Sequence, residues 1–494
     1  MEKIKQLKAL LKDFNWKESL LFATDSYKHS HFEQYPAGTS KVYSYIEARK
    51  KDLTPLVFFG VSSFIKKHLL RKITASEVEA AKLFNEMHGV PFNYDGWMNI
   101  VNRYDGFIPV EIKAVEEGSV IANGNVLVTI TNRCPDSAWI VGYIETALLR
   151  HVWYQSTVAT YSAKCKISIL SALKRCTSMS AEDAVSYADF ALHNFGARGC
   201  SSGETAALGG AAHLLSFRGS DTIEAAMHLI DVYDMDEMPS FSVPASEHST
   251  VTMYLKDGEI DAMKNMIAKF AGKYPIISFV SDSYDLFANI NIVCTQLINT
   301  IRESGTKYVI RPDSGDPAKT LLKVFKQIDD HGLLAVNDKG FKELPDYLGV
   351  LQGDGINLIT INIICSELIS AGYSIKGLVF GMGGALLQAH SRDDCSFAMK
   401  CSYAIVDEQE RFVQKCPSTD ASKVSKTGMF KLISFKGMLH TVSSKNAYDY
   451  TGFSRERDLL KLFYPYVPNC GVYYAETSIP QVREKLRSYF ISKY

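Results

Sequence analysis

The chain has 494 residues, 54 basic and 54 acidic, with 46% hydrophobic and 22% charged residues. That length exceeds one small core and suits one large domain or two to three fused subdomains. Zero net charge argues against a polyanionic macromolecule as partner, and the ordinary hydrophobic content argues against long disordered stretches.

The first residues, MEKIKQLKALLKDFNW, set Ile4, Leu7, Leu10, Leu11 and Phe14 at helical spacing between lysines. This is the pattern of an amphipathic helix, not of a signal peptide, whose apolar region is unbroken. No apolar run approaches the ~18 residues of a membrane span. The ten cysteines are scattered, without a CxxC pair or a zinc spacing. Reduced thiols in a cytoplasmic enzyme, with neither nucleic acid nor membrane as partner, are therefore expected. Residues 38–49 and 124–131 read as strands bounded by glycine, and 139–173 as mostly helix.

From about residue 188 the pattern becomes regular. A short apolar run ends in polar or glycine residues, and a helical stretch follows. The runs lead in turn to Arg198, Asp221, His248, Asp282, Asp313, Asp354 and the Gly383-Gly384 pair, 23 to 41 residues apart. A strand–helix unit takes roughly 25–40 residues. The fold class predicted is α/β: an irregular barrel of about seven parallel strands over 187–394, with an open doubly wound sheet as the structural alternative. The flanks, 1–186 and 395–494, are expected to form one discontinuous α+β domain.

In either architecture, ligands sit at the carboxyl ends of the strands. An aspartate there is often only a helix cap. Four aspartates on one face, with Arg198, Arg311 and His248, outweigh that reading. The segment GMGGALLQ (381–388) runs from a strand through three glycines into a helix, which suits close approach of the backbone to a phosphate. It has neither GxGxxG spacing nor the Lys-Ser/Thr of a P-loop, and a tight turn explains it equally well. Between 411 and 436, six basic residues (Arg411, Lys415, Lys423, Lys426, Lys431 and Lys436) face one acid, Asp420. Beside a phosphate-type turn, that points to a pyrophosphate-like ligand, although a solvated loop has the same composition. His248 has no metal-binding pattern around it. General acid/base work, phosphoryl transfer and a buried structural role all remain open for it.

These stretches are collinear with those of a known family. LFATDSYKHSHFEQYP (21–36), SKVYSYIEAR (40–49), FGARGCSSGETA (195–206), SVPASEHST (242–250), VSDSYD (280–285), IRPDSGDP (310–317), LQGDG (351–355), FGMGGALLQ (380–388) and KCSY (400–403) resemble nicotinamide phosphoribosyltransferases across essentially the whole chain. The resemblance implies an enzyme making nicotinamide mononucleotide and pyrophosphate from nicotinamide and phosphoribosyl pyrophosphate. It also implies Mg²⁺ bound mainly through pyrophosphate, ATP coupled through a phosphorylated histidine, and a homodimer with interfacial active sites.

Carried onto this sequence, the resemblance implies that Phe195 and the partner subunit's Tyr27 stack on the two faces of the pyridine ring. Arg311 would donate to the amide carbonyl, and Asp221 would accept from the amide NH₂. Arg198 would fix the ring and the departing pyrophosphate. Asp313, Gly353 and Asp354 would hold the ribose hydroxyls; Gly383, Gly384 and the partner's Arg392 would take the 5′-phosphate. Arg49, Lys400 and Lys415 would face pyrophosphate, and Lys423 would support the anionic region. His248 would accept phosphate from ATP, oriented by Asp282. Asp25 and Ser278 join the substrate-binding set.

Four positions depart from the family pattern: Ala191, Asn194, Ala197 and Met382. Ala191 and Asn194 remove charge beside His193, which bears on ATP coupling. The nearest rival is a nicotinate phosphoribosyltransferase, which Asp221 disfavours because it would repel the nicotinate carboxylate. An aldolase- or lyase-type barrel would need a Schiff-base lysine or a metal triad at the strand ends, and no strand end supplies one.

Overall fold

The computed structural model describes residues 2–50, 55–419, 424–444, 457–468, 470–472 and 474–494. It divides into two compact units, 1–157 with 391–478 and 158–390 with 479–494. These units do not follow the expected boundaries at 186/187 and 394/395. The last helix, Ile479–Lys493, belongs with the second unit, burying Ile479, Val482, Leu486 and Phe490.

The first unit is built on a seven-stranded antiparallel sheet. Its order is Gln409–Phe412, Phe397–Val406, Thr39–Ala48, Val126–Asn132, Val110–Ala114, Lys461–Val467 and Gly471–Val472. Both ends of the chain therefore contribute strands. Thr39–Ala48 pairs with Phe397–Val406 on one side and with Val126–Asn132 on the other, placing Tyr45 opposite Lys400. The amino-terminal helix, Glu2–Leu10, is amphipathic as its spacing predicts. Leu7 is buried with Ala80 and Leu83, and Leu10, Leu11 and Phe14 pack against them, but Ile4 stays exposed.

The second unit holds a five-stranded parallel sheet, ordered Leu192–Asn194, Leu378–Met382, Leu348–Gln352, Lys307–Arg311 and Ile276–Val280. The seven regular strands expected are not all present. Between the two edges of the sheet, chain segments pair only through single parallel bridges: Asn194 with Ser220, Gly219 with Phe241, and Ala245 with Ser278. Two causes are visible. HLLS, read as part of a strand, instead ends the helix Gly203–His213. Pro244 interrupts the run SFSVPASE (240–247), and proline cannot donate to a ladder,. The result is a parallel half-barrel closed by irregular backbone.

Local rules account for the helices that follow the strands. Pro317–Asp330 opens with Asp316 accepting from the Lys319 N–H at 3.0 Å and with proline in its first turn,. Its buried Leu321, Val324, Phe325 and Ile328 lie at helical spacing,. Asp285 caps Leu286–Ile292, and Asn357 caps Leu358–Ser370, each accepting two backbone N–H groups at 2.9–3.0 Å.

Four histidines are buried among the described residues: His29, His68, His151 and His213. Burial pushes His68 down to about 2, helped by His151, and His213 down to about 3, helped by His193. His29 is lowered to about 4 by burial and then by His88. In the unfolded chain His29, His68 and His213 take up protons first, near pH 6.5, so the unfolded state gains as pH falls. Each histidine should therefore remove about 1.4 kcal/mol of stability per pH unit between roughly pH 6 and its own folded value. Urea unfolding at pH 7 and pH 5.5 measures this, and His68→Gln should make the drop shallower.

Candidate active site

At the carboxyl ends of the parallel strands lies a cavity of about 350 Å³. Eight of the residues proposed from sequence line it: Phe195, Arg198, Asp221, Arg311, Asp313, Gly353, Asp354 and Gly383. Three strand ends share one device, an aspartate followed three residues later by a helix cap. Asp282 precedes Asp285, Asp313 precedes Asp316, and Asp354 precedes Asn357. The later residue caps the helix. The earlier aspartate is thereby released from capping.

Asp282 uses that freedom to join three loops. Its Oδ1 lies 3.1 Å from His248 Nε2, while Oδ2 accepts from the Asp313 N–H at 3.0 Å and from Ser314 Oγ at 2.5 Å. The side chain is only 6% exposed. Burial pushes its carboxyl up, but the bonds from Ser314, Asp313 and His248 outweigh burial and hold it below the ordinary range,. His248 opens the short helix His248–Thr252, with its ring half exposed. Neither residue lines the cavity; both connect to it through Asp313.

Arg311 Nη2 meets Asp313 Oδ2 at 3.2 Å, and its buried Nε has no hydrogen-bond partner. Asp221 is exposed and accepts from Ser242 Oγ at 2.5 Å. Its own N–H is held by the Asn194 carbonyl at 3.0 Å. Phe195 is seated by glycine. A Cβ on Gly381 would stand 2.0 Å from Phe195 Cε2, and one on Gly353 would stand 3.7 Å from that atom and 3.0 Å from Asp313 Oδ1. Gly381 thus serves ring packing, a use that the glycine pattern of GMGGALLQ does not announce. Gly384 begins the single turn Gly384–Leu387, and its position is open on the Cβ side.

A second cavity, about 460 Å³, is lined by the amino-terminal halves of the same strands, including Ile276, Lys307, Gly349 and Val379. Ser278 lines this cavity rather than the first, with its buried Oγ unpartnered. His193 and Ser242 are also in its wall. Burial lowers the His193 imidazole, and Asp221 opposes the shift. The Ser242–Asp221 bond therefore links the linings of the two cavities.

In the first unit, Asp25 and Tyr27 sit at and just after the start of the 3₁₀ helix Ser26–Glu33. Asp25 accepts from Thr146, and the Tyr27 ring is 59% exposed. Arg49, Arg392 and Lys415 all lie close enough to Lys400 to act on it electrostatically. Burial lowers the Lys400 ammonium, Glu145 opposes this, and the three cations lower it further. Lys426 is not a free cation of the basic segment: it pairs with buried Glu47. Lys423 lies outside the described residues.

Sequence reasoning assigned no role to Ser242, Ser246 or Ser314. Each lies inside a stretch already marked by resemblance, SVPASEHST or IRPDSGDP. Their spacing carries no chemistry until the fold sets them beside Asp221, Arg311 and Asp282.

Comparison with known proteins adds independent findings. The profile of the nicotinate phosphoribosyltransferase (NAPRTase) family matches residues 190–449. That of the nicotinamide phosphoribosyltransferase N-terminal domain matches residues 19–112. A nicotinamide phosphoribosyltransferase of Xanthomonas campestris pv. campestris is 42% identical, covering 84% of this chain and 88% of its own. Another, of Acinetobacter baylyi, is 29% identical, covering 83% and 88%. In fold, the chain is similar to nicotinate-nucleotide pyrophosphorylase from Pyrococcus furiosus, with TM-score 0.60 and 16% identity over 96% of both chains. Human nicotinic acid phosphoribosyltransferase gives TM-score 0.52 and 14% identity over 95% and 93%.

The packing of Phe195 on Gly381 is directly testable. Gly381→Ala must displace the ring and should cost about 1–3 kcal/mol of stability, the usual range for overpacking. Gly384→Ala, with open space around it, should lie within about 0.5 kcal/mol of the parent. Urea denaturation of both variants checks the contrast.

Proposed function

The chain belongs to the nicotinamide phosphoribosyltransferase family and is a pentosyltransferase of NAD salvage, and on that premise we propose how its residues perform the transfer. The substrates are nicotinamide and phosphoribosyl pyrophosphate. The carboxyl-end cavity is the transfer site. The single observation that carries the reading is the convergence of Phe195, Asp221, Arg311, Asp313 and Arg198 on it.

The pyridine ring lies on the Phe195 face, where a flat electron-poor ring finds an aromatic partner. Asp221, held by Ser242, accepts from the amide NH₂, and Arg311 donates to the amide oxygen. The partner subunit's Tyr27 covers the other face in a homodimer. Asp313, Gly353 and Asp354 hold the ribose, and Gly383 and Gly384, with the partner's Arg392, hold the 5′-phosphate. The ring nitrogen's lone pair forms the bond to the anomeric carbon as the bond from that carbon to the pyrophosphate oxygen breaks. That electron pair leaves with pyrophosphate, and the ring nitrogen becomes cationic. No proton needs to move, so catalysis rests on positioning and on neutralising the leaving group. Arg198, Arg49, Lys400 and Lys415 supply positive charge for it.

The donor set suits a Mg²⁺ that arrives with pyrophosphate. Asp313 and Asp354 are hard oxygen donors in the cavity wall,. Among the described residues, no group of three or more His, Cys, Asp or Glu could hold an ion. When bound, Mg²⁺ neutralises pyrophosphate oxygens.

His248 is the residue through which ATP couples. With Nε2–H donated to Asp282, the other ring nitrogen keeps its lone pair,. That nitrogen takes the γ-phosphoryl group as the bond to ADP breaks. Lys423 supports the phosphorylated state in this reading.

Incubation with nicotinamide, phosphoribosyl pyrophosphate and Mg²⁺, with and without ATP, should give nicotinamide mononucleotide. No product under either condition overturns the reading. Nicotinate is the rival substrate, and Asp221 decides between them: Asp221→Ala should lose the preference for nicotinamide by at least about tenfold in kcat/KM. Unchanged selectivity in steady-state assays on both substrates would sink that role. γ-labelled ATP should leave acid-labile label on the protein but not on His248→Gln; equal labelling of the two removes the histidine from the coupling.

A further inference from the structure

A third cavity, about 260 Å³, lies in the second unit away from the strand ends, against the carboxyl-terminal helix Ile479–Lys493. Arg218, Arg483 and Arg487 line it, with Lys166, Asp189 and Ser216. The carboxylate of Asp189 is committed to Lys166, whose side chain is 2% exposed and also donates to the Ser216 carbonyl at 2.7 Å.

The three guanidiniums are not neutralised in this way. Arg483 donates Nε to the Leu214 carbonyl at 2.9 Å and Nη2 to the Pro239 carbonyl at 2.8 Å. Arg487 donates to Ser186 Oγ and to the Glu182 carbonyl. Arg218 makes no side-chain hydrogen bond: its guanidinium lies over the Phe241 ring at 5.6 Å, and its buried Nε is unpartnered. Ser216, 3% exposed, also has an unpartnered buried Oγ. Glu237 and Glu484, the remaining acids of the lining, are exposed, and neither pairs with these arginines. Burial lowers the Arg483 guanidinium to about 10, and the charge of Arg218 lowers it further; Asp189 and Glu237 oppose this only in part.

Three like charges line one cavity, and the Arg218 Nε–H and the Ser216 hydroxyl in its wall lack a partner. Guanidinium forks match the oxygens of a phosphate group. We propose that this cavity is a binding site for a phosphate-class oxyanion, held by Arg218, Arg483, Arg487 and Ser216 and separate from the transfer site. The volume admits the ion with several waters, at about 30 Å³ each. Because Arg483 and Arg487 belong to the carboxyl-terminal helix, the bound ion fastens that helix to the Ser216–Arg218 segment.

The test is titration of the full chain with inorganic phosphate by calorimetry, in a phosphate-free buffer, for the parent and for Arg218→Gln. The variant loses no hydrogen bond, so it should fold as the parent does. Its affinity for one phosphate equivalent should fall about tenfold or more. Identical isotherms overturn the proposal, because phosphate would then be reaching only the strand ends. Crystals soaked in tungstate locate the ion without any variant. An anomalous peak between Arg218 and Arg483 supports the site; peaks confined to the strand ends overturn it, as does an adventitious ion only, with no saturable binding in solution. A titration with ribose 5-phosphate distinguishes the sources: tighter binding than the free ion at this site identifies a phosphomonoester, and equal or weaker binding identifies the ion itself.

Discussion

The site is organised around one buried carboxylate. Asp282 is almost wholly removed from water, so its charge persists only if hydrogen bonds replace hydration. Those bonds come from two other strand-end loops, through His248 on one and the Asp313 N–H and Ser314 on the other. Satisfying one group therefore fixes the mutual position of the histidine and of the loop that carries Asp313. Arg311 is drawn in next, through its pair with Asp313. Loss of that carboxylate would leave three loops without a common reference.

A second constraint is steric. The Phe195 ring occupies space available only because residue 381 has no side chain, and Gly353 gives it and Asp313 room on the next strand. The flat face offered to a ligand and the acidic edge beside it are thus set by the same pair of absent Cβ atoms. Ser242 makes the corresponding adjustment on the other wall, holding Asp221 while itself facing the second cavity. An aromatic face, a carboxylate and a guanidinium at fixed separation are the elements needed to recognise an aromatic amide.

Charge is distributed unevenly within a neutral chain. Arg49, Arg392, Lys400 and Lys415 concentrate positive potential in the first unit, and Arg218, Arg483 and Arg487 do so in the second. Other basic residues are consumed structurally. Lys426 neutralises buried Glu47, Lys166 is paired with Asp189, and Lys28 is paired with Glu145. Global neutrality places no limit on the field inside a pocket.

Much of this was legible in the sequence. Periodicity located the amino-terminal helix and the alternation of strand and helix, because burial on one face is a local, repeating requirement. The strand-end aspartates, arginines and glycines were found for the same reason, since a βα unit sends the residue after each strand to one end of the sheet. Which aspartate caps the next helix and which is left free to serve the site was not legible at Asp282/Asp285 or Asp313/Asp316. Both residue types satisfy the same local preference, and only the path of the following helix separates them. The runs HLLSFRGS (213–220) and SFSVPASE (240–247) have the composition of full strands but form only single bridges, because an apolar run does not reveal whether a neighbouring strand offers a complete ladder. Pairings at a distance lay beyond the sequence altogether: Ser242 with Asp221, Phe195 over Gly381, and Arg218 facing Arg483. The sequence by itself determined the residue types, their order and the end of the sheet on which they fall. Tertiary structure alone decided which of them meet, because contact depends on how non-adjacent segments pack and no local pattern encodes that.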